Sequence, residues 1–550
     1  PTSAPTPPGG ESPEAPATAT TQPAPPAPVA EPARPTNPFL ANSPWPTSHG
    51  SPTKQASTDL PGPVDNDVDV QLVDFRNDIG FERNLANGAP LNLTSPWLML
   101  SDRRYADAPD ARVVWGVSLT DVFKYAIFDD GTTTYIDHQR LRTDPFSLGW
   151  NFVPLADGRL IVPAPLGATE TDEACRSIGP ALLVFEDGDS LDSPLRCVDH
   201  FRPRRNELGQ CRGPDGEPIG PTRAEYRMSL TNVTYTGELI TGLRINNPDT
   251  GRFEYYLAVV DNDLSGFVDC AYMSTADVTN APAMEPLDTG TGTAIFLATS
   301  QSIVSVHWDP TIGRLEQQWE RDVPLRLRTG TTPTMIDFGD DRFIGLIAAP
   351  CAVTDPFSGV IECADDTSPA KFVAMRRDEV PTGEPDDLLI TELPEAIRTV
   401  ENSPSASGDR VVLAAYGGYD PDPTTLGVVS LLWSDSDGGF VVDWFNGDVQ
   451  LNGVTTISNG AGLVYSSGIA TDGAVHFYGL RLDDGAVVGD VVAGAGDELL
   501  NAFDQGNSLA INDDGSAIYA TQRGFVRVRP NSYPLNTWAS ATARATRIDA

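Results

Sequence analysis

Between Ala294 and Glu320 the chain reads "AIFLATSQSIVSVHWDPTIGRLEQQWE", which parses as strand, tight turn, strand, longer turn, strand. Residues alternate with a period of two, and the 3.6-residue period of a helix is almost absent. Three short strands cannot bury both of their faces alone, so this stretch needs neighbours of its own kind. The chain supplies them. "LADGRLIVPAP" (155–165), "ATDGAVHFYGLRLDDGAVVGDVVAG" (470–494) and "INDDGSAIYATQRGFVRVRP" (511–530) repeat the grammar. Asp472-Gly473, Asp484-Gly485 and Asp514-Gly515 provide the positive φ values that tight hairpin turns demand.

Hairpin clusters mark units near 94–145, 146–200, 228–275, 292–328, 330–394, 400–450, 451–494 and 498–530. Most span roughly 35 to 55 residues, the length of a four-stranded blade with loop insertions. The predicted class is therefore all-β, a β-propeller of about eight four-stranded blades, with seven as the neighbouring count. Stacked blades bury each other's faces, and closing the ring removes the two end faces. A pair of β-sandwiches is the alternative, but no Pro/Gly-rich linker divides the chain after residue 65.

The stretch from "GTGTAIFLATSQ" to "LEQQWE" resembles the repeats of the quinoprotein (PQQ-like) propeller superfamily. The matching parts are Ala294–Thr299, Ile303–Trp308, Asp309, Gly313, Leu315 and Trp319. "LNAFDQGNSLAINDDGSAIYATQRGFVRV" is similar to a last blade of that group, and "SPWPTSHGSPTKQASTDLPGP" (43–63) to the Trp-Pro segment that precedes its first blade. The resemblance implies a propeller. For activity it implies little: vicinal cysteines and a CxxCH haem signature are both absent from this sequence, and no Glu, Asn or Asp matches the family's metal ligands.

Residues 1–37 are Pro, Ala and Thr with almost no large apolar side chain, and are expected to form a disordered linker. Residues 38–93 are expected to pack on the ring ahead of it, 94–535 to form the propeller, and 536–550 a C-terminal tail. Such a linker fits a surface protein, for which a lipid anchor upstream of residue 1 would complete a tether. No apolar run reaches the roughly 18 residues of a membrane span. The formal charge of -39, from 76 acidic and 37 basic residues, repels phosphate backbones and argues against nucleic-acid binding. Only Lys54, Lys124 and Lys371 are lysines.

The six cysteines point to an extracytoplasmic (secreted, periplasmic or outer-surface) location and to disulfides. Cys351 and Cys363 bracket a loop that closes readily. Cys175 with Cys197 and Cys211 with Cys270 is the simplest completion, although spacing does not fix connectivity.

Chemistry is thinly signalled. No GxSxG elbow and no HExxH occurs, and His49, His138, His200, His307 and His476 are scattered. "DNDLSGFVDC" is the best metal candidate: Asp261, Asp263, Ser265 and Asp269 follow the start of a calcium loop, with Gly266 at its sixth position. Its twelfth position is Tyr272 rather than Glu, and an acidic hairpin loop held by a nearby disulfide is the favoured reading of these residues. Asp420 and Asp422 form a second acidic turn. Trp115, Trp150, Trp308, Trp319, Trp433 and Trp444 lie in predicted strands, where blade packing wants bulk. Loop salt bridges are expected for the basic islands Arg103-Arg104 and Arg202, Arg204 and Arg205. The function expected is a non-catalytic binding or scaffold module for a protein or glycan of the cell envelope, with calcium the one candidate ion. The alternatives are a secreted enzyme with its site in the central funnel, an oxidoreductase or a lyase/hydrolase, and a structural subunit of a surface assembly.

Overall fold

The computed structural model describes residues 36–531 apart from 75–96, 101–104, 118–120, 142–150, 166, 169–172, 177–178, 221–225, 248–250, 277, 279, 324–330, 356–359, 364–367, 379–380, 383–386, 399–401, 416–426, 450, 452, 496–508 and 522–523. Eight antiparallel blades of four strands each form the ring: Trp97–Arg140, Val153–Phe201, Tyr226–Ser274, Ala283–Asp322, Thr334–Glu392, Ser405–Asn446, Thr456–Ala495, and an eighth built on Ala510–Pro530. They are numbered blades 1 to 8 in that order.

Blade 4 shows how the opening stretch folds. Its strands are Ala283–Pro286, Thr293–Ala298, Ser302–Asp309 and Arg314–Asp322. Along Thr293–Ala298, Ile295 and Leu297 pack with blade 3, while Ala294, Phe296 and Ala298 pack with blade 5. The period of two thus feeds two different cores. Arg314–Asp322 buries only Leu315 and Trp319 and leaves most of its other side chains exposed, as a rim strand should. Across the described residues there are eight apolar cores, one for each pair of adjacent blades. An open arc of eight blades would have only seven, so the eighth, which joins Tyr125 of blade 1 to Phe525 of blade 8, demonstrates closure.

Polar side chains also cross the junctions. Lys124 of blade 1 donates to Leu191 O of blade 2 at 2.8 Å and lies 3.7 Å from Asp187, both side chains fully buried. Between blades 8 and 1, Arg112 meets Asn512 and Asp513, and Arg527 donates to Gly131 O at 2.7 Å.

Asp-Gly turns close many hairpins as expected. Gly473, Gly485 and Gly515 have φ of 80°, 69° and 75°, and the preceding aspartates accept the N–H two residues on. At Gly485 a Cβ would fall 2.4 Å from the Trp444 ring, so that turn requires glycine twice over.

Two segments leave the ring. Residues 202–220, with a short helix at Arg205–Leu208, are stapled to blade 3 by Cys211–Cys270, while Cys175–Cys197 ties a single helical turn to the outer strand of blade 2. In blade 5 a two-stranded hairpin, Cys351–Asp355 with Val360–Cys363, stands apart from the main sheet. Cys351 and Cys363 face each other in its backbone register, and their side chains lie outside the described part of the chain.

The segment before the first blade does more than pack against the ring. It contributes two strands, β1 (Ser57–Thr58) and β2 (Val68–Asp74), to the ring itself. β1 adds in parallel to the first strand of blade 7, and β2 is the outermost strand of blade 8, paired antiparallel with Gly524–Pro530.

Candidate functional site

The first strands of the blades meet around the axis. Each is the inner edge of its sheet, with N–H groups that no further blade strand can accept. Residues 37–67 answer this requirement. With Pro38, Pro44, Pro46, Pro52, Pro61 and Pro63, this segment cannot form a long regular element, but its carbonyls stay free to accept.

The segment meets the blades one after another. Asn37 donates to Val233 O of blade 3 at 2.9 Å, Ala41 N–H to Pro154 O of blade 2 at 3.0 Å, and Trp45 O accepts from Leu100 of blade 1 at 3.1 Å. Pro52 O then accepts from Met284 (blade 4, 2.8 Å), Thr53 O from Met335 (blade 5, 3.1 Å), Gln55 O from Ala406 (blade 6, 2.8 Å) and Ala56 O from Ile457 (blade 7, 3.0 Å). Ser458 Oγ and the Tyr465 hydroxyl hold Leu60 O and Pro63 O on the way out, and β2 completes blade 8. A strap from the N-terminal side therefore touches all eight blades and occupies the axis.

Around it the first strands present hydroxyls that bridge neighbours. Ser405 Oγ meets Thr455 Oγ1 at 2.6 Å, Thr334 Oγ1 donates to Pro404 O at 2.9 Å, and Thr456 Oγ1 to Leu509 O at 2.6 Å. Small polar side chains let backbones approach while keeping buried groups satisfied.

The centre of the strap is a compact turn at residues 48–56, closed by Ser51 N–H and Ala56 N–H to His49 O, both 3.0 Å. Its two ionisable side chains, His49 and Lys54, are each 1% exposed. Lys54 Nζ donates to Ser48 O at 2.9 Å and to Ser48 Oγ at 3.1 Å, and Ser48 Oγ donates to Asn151 Oδ1 of blade 2. Burial lowers the Lys54 pKa to about 7; burial, and then the charge of Lys54, lowers that of His49 to about 3. His49, Lys54 and Ala56 all sit in the left-handed region, with φ of 61°, 59° and 47°. Strained backbone concentrated in one buried turn marks a place where the surroundings dictate conformation.

The strap was not singled out as a site by its sequence. A signal for it exists in the blades. Pro282, Pro333 and Pro404 each stand two residues before an N–H that the strap accepts, those of Met284, Met335 and Ala406.

The acidic residues 261–269 fold as the turn between Arg252–Val260 and Phe267–Ser274. Asp263 accepts from Ser265 N–H at 2.8 Å, and its hydrogen bonds with Ser265 hold its carboxyl below the usual range. Asp269 lies on the strand and is engaged by Arg212 at 2.5 Å and Leu315 N–H at 2.6 Å. That leaves the Asp261 and Asp263 carboxylates on the loop. Among the described residues, no three His, Cys, Asp or Glu side chains are grouped to hold a metal.

Trp115, Trp308, Trp319 and Trp444 are core residues. Trp150, Arg103-Arg104 and Asp420 with Asp422 lie outside the described residues. Arg202, Arg204 and Arg205 are exposed and, among the described residues, pair with no carboxylate, which departs from the salt bridges expected of them. The helix cap explains part of this: Glu207, the nearest acid in sequence, accepts the Arg204 N–H at 2.5 Å.

No protein-family model and no curated protein matches the sequence. Several solved structures are similar to it. A quinohemoprotein alcohol dehydrogenase from Comamonas testosteroni aligns at 10% identity and a TM-score of 0.49, covering 89% of this chain and 81% of that one. The periplasmic gluconolactonase PpgL of Pseudomonas aeruginosa aligns at 10% identity and 0.37, covering 73% and 96%. The Dos1 propeller aligns at 11% and 0.33, covering 76% and 75%. The assignment of this chain as an eight-bladed β-propeller rests on its own strand pairings and its eight interface cores.

Proposed function

We propose that this propeller is an extracytoplasmic binding or scaffold module of the PQQ-like kind that engages a protein or glycan through loops at its faces. The observation that carries this reading is the run of strap carbonyls from Pro52 to Thr58 bonded to the first strands of blades 4 to 7. They set the protein's own chain against the inner strands, the place where a propeller enzyme would hold its substrate. The surfaces left for a partner are the stapled segment 202–220, with its three exposed arginines, and the hairpin of blade 5. Two disulfides support the compartment.

The test is binding of the purified protein to arrays of envelope glycans and envelope proteins. Retention of a ligand is expected, and it should weaken when residues 351–363 are replaced by a short turn or Arg202, Arg204 and Arg205 by Ser. Silence on both arrays would defeat the reading. So would tight, stoichiometric binding of PQQ accompanied by dye reduction, which favours the enzymatic alternative.

A further inference from the structure

We propose that the axial turn of residues 48–56 holds a small inorganic anion of the halide class between the Lys54 ammonium and the His49 ring. Lys54 is one of three lysines in a chain with 76 acidic side chains, yet no carboxylate pairs with it among the described residues. An ammonium has three donors. Two of them go to neutral oxygens of Ser48, within the same turn. A buried charge without a counter-charge is strongly disfavoured.

His49 provides the independent observation. Its Nδ1 is buried with no hydrogen-bond partner, a rare condition in a protein interior, and it lies in the same closed, buried turn as Lys54. The turn is lined by Ser51, Thr53 and Gln55, hydroxyl and amide groups of which Ser51 Oγ and Thr53 Oγ1 satisfy each other at 2.7 Å and Thr53 Oγ1 donates to Gln55 Oε1 at 3.1 Å. One Lys54 N–H and the His49 Nδ1 are therefore left with a hydrogen-bonding need that the turn itself does not meet. An anion accepting the third Lys54 N–H and a proton on His49 Nδ1 meets it. The ligand must be small, because both side chains are sealed and the turn is closed by backbone bonds at His49, Ser51 and Ala56.

The ion would be captured on folding, so the full chain is unfolded and refolded in bromide, then crystallised. An anomalous peak in contact with Lys54 Nζ and His49 Nδ1 is expected. In solution at constant ionic strength, with gluconate as the replacing anion, the unfolding equilibrium constant should fall about tenfold for each tenfold rise in bromide above its dissociation constant. The Lys54→Met variant should lose that dependence. If it does not fold, His49→Phe, which keeps the lysine, should weaken it. A water molecule at the position, bromide on the outer surface only, or bromide-independent unfolding of the unmodified chain would each overturn the proposal.

Discussion

Arg377 of blade 5 grips Glu285 of blade 4 through both carboxylate oxygens, Nε to Oε1 at 2.9 Å and Nη2 to Oε2 at 3.0 Å. Arg342 adds a third bond to Oε2 at 2.6 Å, and Arg377 Nη1 reaches Asp337 at 2.6 Å. The Arg377 side chain is 2% exposed, so solvent screening is weak. Removing one partner of such a pair strands the other. Glu285→Ala should destabilise the fold by about 3 kcal/mol, measured by urea unfolding; a loss below about 1 kcal/mol would place this fork among the surface pairs.

Trp45 is the strap's apolar anchor, buried in the core between blades 8 and 1. Its truncation leaves a cavity at the closing junction. Trp45→Ala should cost about 3–5 kcal/mol and speed hydrogen exchange at Leu100, whose N–H bonds to Trp45 O. Unchanged exchange there would show that the strap is held without it.

His476 stands between Asp490 (Nδ1 to Oδ1, 2.5 Å) and Asp472 (Nε2 to Oδ2, 3.2 Å). Burial opposes protonation, but the hydrogen bonds that the ring donates to Asp490 and Asp472 outweigh it and raise the pKa. A raised folded pKa contributes stability that is complete below the unfolded value near 6.5 and disappears as pH rises through the folded value. Proton NMR of His476 should show a midpoint above 6.5, and His476→Gln should flatten stability over the same interval. A midpoint below 6.5 would contradict the clamp.

Cys211–Cys270 closes a span of 59 residues and Cys175–Cys197 one of 22. On loop-closure grounds they stabilise by about 4 and 3 kcal/mol respectively. Cys211→Ser with Cys270→Ser should therefore cost more than the other pair in a thermal melt, and should first release segment 202–220 to proteolysis. Equal losses would mean that native contacts of the segment, such as Arg212 with Asp269, dominate over chain entropy.

The blades were legible because their determinants are local. Asp472-Gly473 makes its turn wherever it occurs, and the alternation in Ala294–Ala298 sorts side chains between two faces without reference to the rest of the chain. The path of the strap was not, beyond the expectation that residues 38–93 pack on the ring, because nothing within residues 37–67 has a period. Gln55 takes its conformation from Ala406, and Ala56 from Ile457, partners that only the closed ring brings near. For the same reason, the contacts of Asp269 could not be read from the spacing of Asp261 to Asp269. Arg212, the residue that claims Asp269, belongs to a segment before blade 3 and is invisible to local pattern.

The strap also sets an order of events during synthesis. Pro63 waits for Tyr465, 402 residues downstream, and β2 for Gly524–Pro530 at the far end of the ring. Contacts of such separation are slow to form. Until the last blade leaves the ribosome, the earlier ones form an arc with an uncovered flank and an unfilled hub, a species that invites aggregation. The stretch from Pro52 to β2, made before any blade, is thus seated only once blades 4 to 8 exist.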